Sequence, residues 1–170
     1  TAIKEYTLAL DLDPESPTHL NNRAVAYHDQ DKLELAFADY NRSIELAPFS
    51  ALTLRNRGLA FLDFHKSLLA IADFSMAIQM EPRNVEIYRF RANAYDDLDK
   101  PLLEIADYTK AIEIDPTLAT VYLDRGTSYA DLDKPALAIA DYTKAIELDP
   151  KNQNTYSWRG YVYEKMDNMA

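Results

Sequence analysis

Two stretches decide how this sequence is read: IADYTKAIEIDP at 105–116 and IADYTKAIELDP at 139–150, which differ only in Ile114 against Leu148. The second begins 34 residues after the first. Around the second, Leu137, Ala138, Tyr142, Ala145, Ile146 and Leu148 recur at the short steps that put them on one face of an amphipathic helix. Pro101 and Pro135 suit the first turn of that helix, where the missing N–H is harmless, and Asp99 and Asp133 just ahead are its capping candidates. The closing Asp-Pro stops it. Upstream, Tyr122, Gly126 and Tyr129 share one face of another helix between 119 and 131. Ser16 before Pro17 reads as a cap and first-turn pair.

The interval holds over the whole chain. Pro14, Pro48, Pro82, Pro116 and Pro150 are spaced by 34. On the same grid lie Arg23, Arg57, Arg91, Arg125 and Arg159 without exception, and the acids Glu5, Asp39, Asp73, Asp107 and Asp141. One aromatic row reads Tyr27, Phe61, Tyr95, Tyr129, Tyr163, and another Tyr6, Tyr40, Phe74, Tyr108, Tyr142. All three glycines of the chain, Gly58, Gly126 and Gly160, fall on one row with Ala24 and Ala92. A glycine inside a helix costs about 1 kcal/mol relative to alanine, so this row implies close approach of the second helix, against Ala36, Ala70 and Ala138.

A unit of 34 residues with these signatures resembles the tetratricopeptide repeat, a helix–turn–helix motif. Tyr122, Gly126 and Tyr129 match its first helix, and Ala138, Tyr142, Ala145 and Pro150 its second; the arginine row departs from it, standing where the family has Leu. The resemblance covers essentially the whole chain. It implies an all-α fold, a right-handed α-solenoid or superhelix of helix-turn-helix repeats, with a concave groove lined by the first helices. The expected division is a second helix of a partial repeat (1–16), four repeats (17–50, 51–84, 85–118, 119–152) and a first helix of a partial repeat (153–170). Each repeat buries its apolar face only by stacking on its neighbours, so both terminal helices are expected to continue the array or to pack on another copy.

Composition narrows the function. A hydrophobic content of 48% excludes a disordered tail, and the absence of cysteine excludes disulfides, thiolate metal sites and a cysteine nucleophile. A net charge of −10 argues against nucleic acid and anionic membranes as partners. No apolar run is long enough to span a bilayer, and the N-terminal TAIKEYTLAL lacks a signal-peptide layout. A cytoplasmic location is expected, with the periplasm equally compatible. His19, His28 and His65 have no metal spacing and read as surface or loop residues. No phosphate loop, metal set or acid–base–nucleophile set emerges, so neither an enzyme nor a cofactor is expected. Asn41-Arg42-Ser43 fits a glycosylation sequon, but Ser43 lies on a small-residue row and should be buried.

The arginine and acid rows read as a ladder of structural ion pairs, with a basic groove as the alternative. The opposite face of the first helices carries the candidate peptide site: Asn22, Arg55, Asn56, Leu59, Arg89, Phe90, Asn93, Asp97, Asp124, Asp131 and Trp158. Phe90 and Trp158 are anchors if exposed; otherwise they pack against adjacent first helices or, for Trp158, against a helix that this sequence does not include. Some relatives clamp a chaperone's C-terminal carboxylate, and Arg89 and Asn93 resemble the opening pair. Asp124 then stands where an asparagine is needed, so that clamp is not assigned. Others line the groove with asparagines; Asn22 and Asn56 begin such a ladder, and Phe90 and Asp124 end it. The row Asp29, Asp63, Asp97, Asp131 opposes the helix dipole. It selects a basic partner or bridges to Lys32, Lys66, Lys100 and Lys134, and the local bridges are the favoured reading. Glu104, on an otherwise alanine row, is expected to snorkel or to pair with an arginine, with a buried site as the lesser alternative. The function expected is a protein–protein interaction scaffold. The alternative is a regulatory or self-assembling segment of a longer protein, with homo-association through the terminal helices.

Overall fold

The structure, a computed structural model, describes residues 1–168. It divides into two compact units, one over Thr1–Pro82 and one from Arg83 onward. The first holds α1 (Ala2–Leu12), α2 (Pro17–His28), α3 (Leu33–Leu46), α4 (Ala51–Asp63) and α5 (Ser67–Met80). The second holds α6 (Val85–Asp96), α7 (Pro101–Ile114), α8 (Ala119–Asp131), α9 (Pro135–Leu148) and α10 (Gln153–Asp167). Among the described residues there is no strand. Even-numbered helices are first helices of a hairpin and odd-numbered ones second helices; within each unit consecutive helices pack together.

Local chemistry accounts for the ends. Pro17, Pro101 and Pro135 open α2, α7 and α9 at the first turn. Ser50 caps α4 by accepting from the Thr53 N–H, and Asn152 caps α10 by accepting from Asn154. Ser16 takes the cap position of α2 in extended conformation, without a side-chain bond.

The expected capping by Asp99 and Asp133 is corrected. Lys100 and Lys134 hold the cap positions, with no side-chain bond. Asp31, His65, Asp99 and Asp133 instead sit in the left-handed region, at φ of 57°, 53°, 52° and 54°. Each ends the preceding first helix. The Asp99 N–H donates to the Asp96 carbonyl at 2.8 Å, and the next N–H, of Lys100, donates to the Tyr95 carbonyl at 2.9 Å. That is a Schellman closure. Asp is among the few non-glycine residues that tolerate this backbone.

The core of each hairpin is one aromatic ring of the second helix set against a small residue of the first. Tyr40, Phe74 and Tyr142 are fully buried and Tyr108 nearly so. These rings, too, close on the small row of the first helices. A Cβ on Gly58 would lie 2.6 Å from the Phe74 ring, and one on Gly126 would lie 2.8 Å from the Tyr142 ring. The glycines admit rings, and Ala36, Ala70 and Ala138 of the second helices are fully buried. A Cβ on Gly160 would meet no neighbouring group within 4 Å.

Beside each ring lies an ion pair. Arg23, Arg57, Arg91 and Arg125 each donate from Nε and Nη2 to the two carboxylate oxygens of Asp39, Asp73, Asp107 and Asp141, at 2.7–2.8 Å. The aspartates are buried, and the guanidinium groups are mostly so. The arginine carbons also lie 5.6–5.9 Å from the ring centres of Tyr27, Phe61, Tyr95 and Tyr129, within reach of the cation–π attraction. Hydrogen bonding to the aspartate pushes the pKa of Arg23, Arg91 and Arg125 up against the opposing effect of burial. Arg159 has no such carboxylate among the described residues and donates from Nη1 to Thr143 at 3.1 Å.

Arg125→Met should destabilise the second unit by about 3–5 kcal/mol, because Asp141 is left buried and unpaired. Adding Asp141→Leu should recover most of the loss, as read by urea unfolding. Gly126→Leu should lower stability by about 1–3 kcal/mol through overpacking against Tyr142.

Candidate functional site

In the first unit a chain of amides joins α2 and α4. Asn56 Nδ2 donates to Asn21 Oδ1 at 3.0 Å, and Asn21 Nδ2 donates to Asn22 Oδ1 at 3.2 Å. Asn21 is buried, whereas Asn22, Arg55, Asn56 and Leu59 are half-buried. Farther along the same helices, His28 Nε2 lies 2.9 Å from Asp63 Oδ2. His28 is thus half-buried and linked to the next first helix, not a bare surface histidine; His65 lies exposed in a turn. The structure brings Asp63 to a neighbouring histidine and not to Lys66. Ser43 is fully buried and donates to the Pro17 carbonyl, and Asn41 accepts from Arg57, which removes the sequon from consideration.

In the second unit Arg89 and Asp124 meet across α6 and α8 at 3.4 Å. Burial raises the Asp124 pKa, and the charge and hydrogen bond of Arg89 oppose that shift. Asn93 is exposed and accepts from the Tyr108 hydroxyl at 3.0 Å, while Phe90 is half-buried. Asp97 and Asp131 are exposed at the ends of α6 and α8. Trp158 is 46% exposed, and its ring stands edge-on to Tyr161, itself 59% exposed, with centroids 6.5 Å apart. The pair borders a cavity of about 200 Å³ among α8, α9 and α10, lined also by Thr127, Asp131, Tyr142 and Lys165.

The expected pairing of Glu104 with an arginine is corrected. Glu104 is 7% exposed, and its carboxylate accepts from the Ser128 hydroxyl at 2.6 Å. Both residues replace apolar or small members of their rows: Ala70 and Ala138 for Glu104, Ala60, Ala94 and Val162 for Ser128. Burial raises the Glu104 pKa against the Ser128 bond, helped by the charges of Asp96, Asp131 and Asp124. Leu137, expected on the apolar face of its helix, is a further correction, for it belongs to an exposed row. Leu35, Leu69, Leu103 and Leu137 form a row on the second helices, each 47–50% exposed. Its signal lay on the same grid, but an exposed leucine is indistinguishable from a core leucine by periodicity. Among the described residues no cluster of three or more His, Asp or Glu is placed to hold a metal ion, and no helix is long and apolar enough to cross a membrane.

Three family patterns match the chain, one described as TPR repeat over 134–167 and two as Tetratricopeptide repeat over 1–51 and 85–118. No curated protein matches it in sequence. Among solved structures it is similar to MamA, with 23% identity, 89% of each chain covered and a TM-score of 0.82. It is similar to YrrB, described as a TPR protein with an unusual peptide-binding site, with 20% identity, 96% of this chain and 84% of that one covered and a TM-score of 0.80. It is also similar to the first TPR domain of Spaghetti bound to the HSP90 peptide SRMEEVD, with 25% identity, 69% and 93% covered and a TM-score of 0.65.

A raised Glu104 pKa means that the folded protein holds this proton more tightly than the unfolded chain. The stabilisation is full below the ordinary carboxylate pKa and is lost as pH rises through the folded value. Glu104→Gln, which keeps the acceptor but not the charge, should therefore unfold at a higher urea concentration than the wild type at neutral pH. Below about pH 4, where Glu is itself protonated, the two should coincide.

Proposed function

The chain belongs to the tetratricopeptide repeat family, and from that premise we propose that it is a non-catalytic scaffold whose first helices hold a peptide or protein segment. The observation that carries this reading is the exposed Trp158–Tyr161 pair beside its cavity. An indole half in water on a helix face gains apolar contact by receiving a partner, and such aromatic anchors are the residues that dominate interface energies. Phe90 adds apolar surface on α6. In the first unit, Asn22, Asn56 and Arg55 offer donors and acceptors suited to an extended backbone, with Leu59 beside them.

The charge of the site argues for a basic or neutral segment with an apolar anchor. Asp97, Asp124 and Asp131 lie on these first helices, and Arg89 is already neutralised by Asp124. A segment such as the acidic SRMEEVD peptide of the Spaghetti complex would place like charges together here, which disfavours it.

Selection from a displayed random-peptide library tests this directly. The expected binders are rich in Lys or Arg and carry an aromatic or aliphatic anchor. Trp158 is the single tryptophan of the chain, so its emission should shift to the blue on binding. Trp158→Ala should weaken the selected peptides by about tenfold or more, on the order of 1.4 kcal/mol, at unchanged helicity. Enrichment of acidic sequences, or affinity indifferent to Trp158→Ala, would count against the site.

A further inference from the structure

The corner where α6, α7 and α8 meet collects negative charge that nothing in the chain balances. A cavity of about 300 Å³ opens there, lined by Asp96, Asp99, Lys100, Glu104, Ser128 and Asp131 among others. Glu104 is the buried acid of this lining. Its Oε1 accepts from Ser128, and its Oε2 accepts no bond from a described residue. Asp96, Asp99 and Asp131 are exposed and form neither an ion pair nor a side-chain hydrogen bond among the described residues. Lys100, the one cation of the lining, is exposed and pairs with none of them. The charges of Asp96, Asp131 and Asp124 all act on Glu104, and the Ser128 bond is all that opposes them. Neither the first nor the last helix of the chain takes part, so the corner is complete as it stands.

The 34-residue grid shows how the same corner is built elsewhere. Asp96 and Asp131 hold the positions of His28 and Asp63, and Glu104 and Ser128 those of Ala36 and Ala60. In the first unit the charge is answered from within: His28 Nε2 lies 2.9 Å from Asp63 Oδ2, and Ala36 and Ala60 are plain core residues. Between α8 and α10 the pair of positions is Ala130 and Lys165, and Lys165 donates to Asp133 at 3.1 Å. The α6–α8 corner instead has an acid at both positions and a third, Glu104, buried beside them. A buried carboxylate among like charges is unfavourable until a cation reaches it. These acids are not placed to converge on a metal ion. A guanidinium suits carboxylates spread around a cavity better, since its five N–H donors point several ways and it is weakly hydrated.

We propose that this corner is an arginine pocket, in which the guanidinium of a bound segment enters between Asp96 and Asp131 and donates to the free oxygen of Glu104. Ser128 acts through Glu104, by holding its other oxygen. The inference rests on the scaffold reading and names the side chain of the segment that the second unit selects. Asp131 also borders the cavity beside Trp158 and Tyr161. The arginine and the apolar anchor of one segment thus occupy neighbouring cavities that share this residue.

The test uses peptides selected on the wild-type chain from a displayed random library, labelled with fluorescein, and the same peptides with arginine replaced by citrulline, its neutral isostere. On the wild type the replacement should weaken binding by about tenfold or more, and on Glu104→Gln the two peptides should bind within about twofold of each other. Glu104→Gln keeps the acceptor for Ser128, and circular dichroism checks that it folds. Asp96→His, which rebuilds the His28–Asp63 arrangement at this corner, should also remove the preference for arginine. A preference that survives either substitution would overturn the pocket, as would selected peptides that contain no arginine. If the peptides in those cases still weaken with Trp158→Ala, the scaffold reading stands and the pocket alone falls. If no peptide is selected at all, both fall.

Discussion

Everything in this chain is arranged around a buried guanidinium gripping a buried carboxylate. Four times the same fork closes across a hairpin, with both aspartate oxygens taken at 2.7–2.8 Å. A buried pair of this kind adds little net stability over an apolar replacement, but either partner left alone is strongly unfavourable. Its geometric demand is strict, because a planar fork meets a carboxylate in one orientation. With the arginine and aspartate positions thus tied, the ring beside the aspartate lands on the small residue beside the arginine. That is why a helix-interior glycine is tolerated at Gly58 and Gly126 despite its unfavourable helix propensity.

Contacts between successive hairpins follow no such uniform rule. The step from α2 to α4 uses an amide chain and a His28–Asp63 contact, whereas the step from α6 to α8 uses the Arg89–Asp124 pair. The step from α7 to α8 buries Glu104 against Ser128. These polar contacts differ from step to step, and the Glu104–Ser128 pair sits where the other repeats have alanine or valine. They make the repeats distinguishable from one another and fix the order in which they stack, since an exchanged hairpin would leave a buried acid or amide without its partner.

The helical class and the repeat family were legible because both rest on periodicity, and a 34-residue interval marked by arginine, proline and aromatic rows is a strong signal. What periodicity could not supply was direction. Asp99 and Asp133 have the composition of helix caps, yet their place two residues before proline is also that of a left-handed turn, and the backbone there takes the turn. The glycine row announced close approach but not that rings were the approaching groups. Glu104 broke its row visibly, but its partner Ser128 is one of many serines and threonines, and a 2.6 Å contact across two helices leaves no local trace. The rim residues Phe90 and Trp158 look alike in sequence; only packing distinguishes a half-buried ring from one at 46% exposure.

The turns at Asp31, His65, Asp99 and Asp133 are each closed by backbone bonds no more than five residues apart. The angle at which one helix leaves another is thus settled before any distant part of the chain is involved. With the arginine fork closing only sixteen residues later, the contacts that build a hairpin have low contact order, and closing such short loops entails little loss of chain entropy. The protein is consequently built for quick, modular folding. Any hairpin is able to nucleate, and during synthesis each one becomes a foothold for the next as soon as its second helix has emerged.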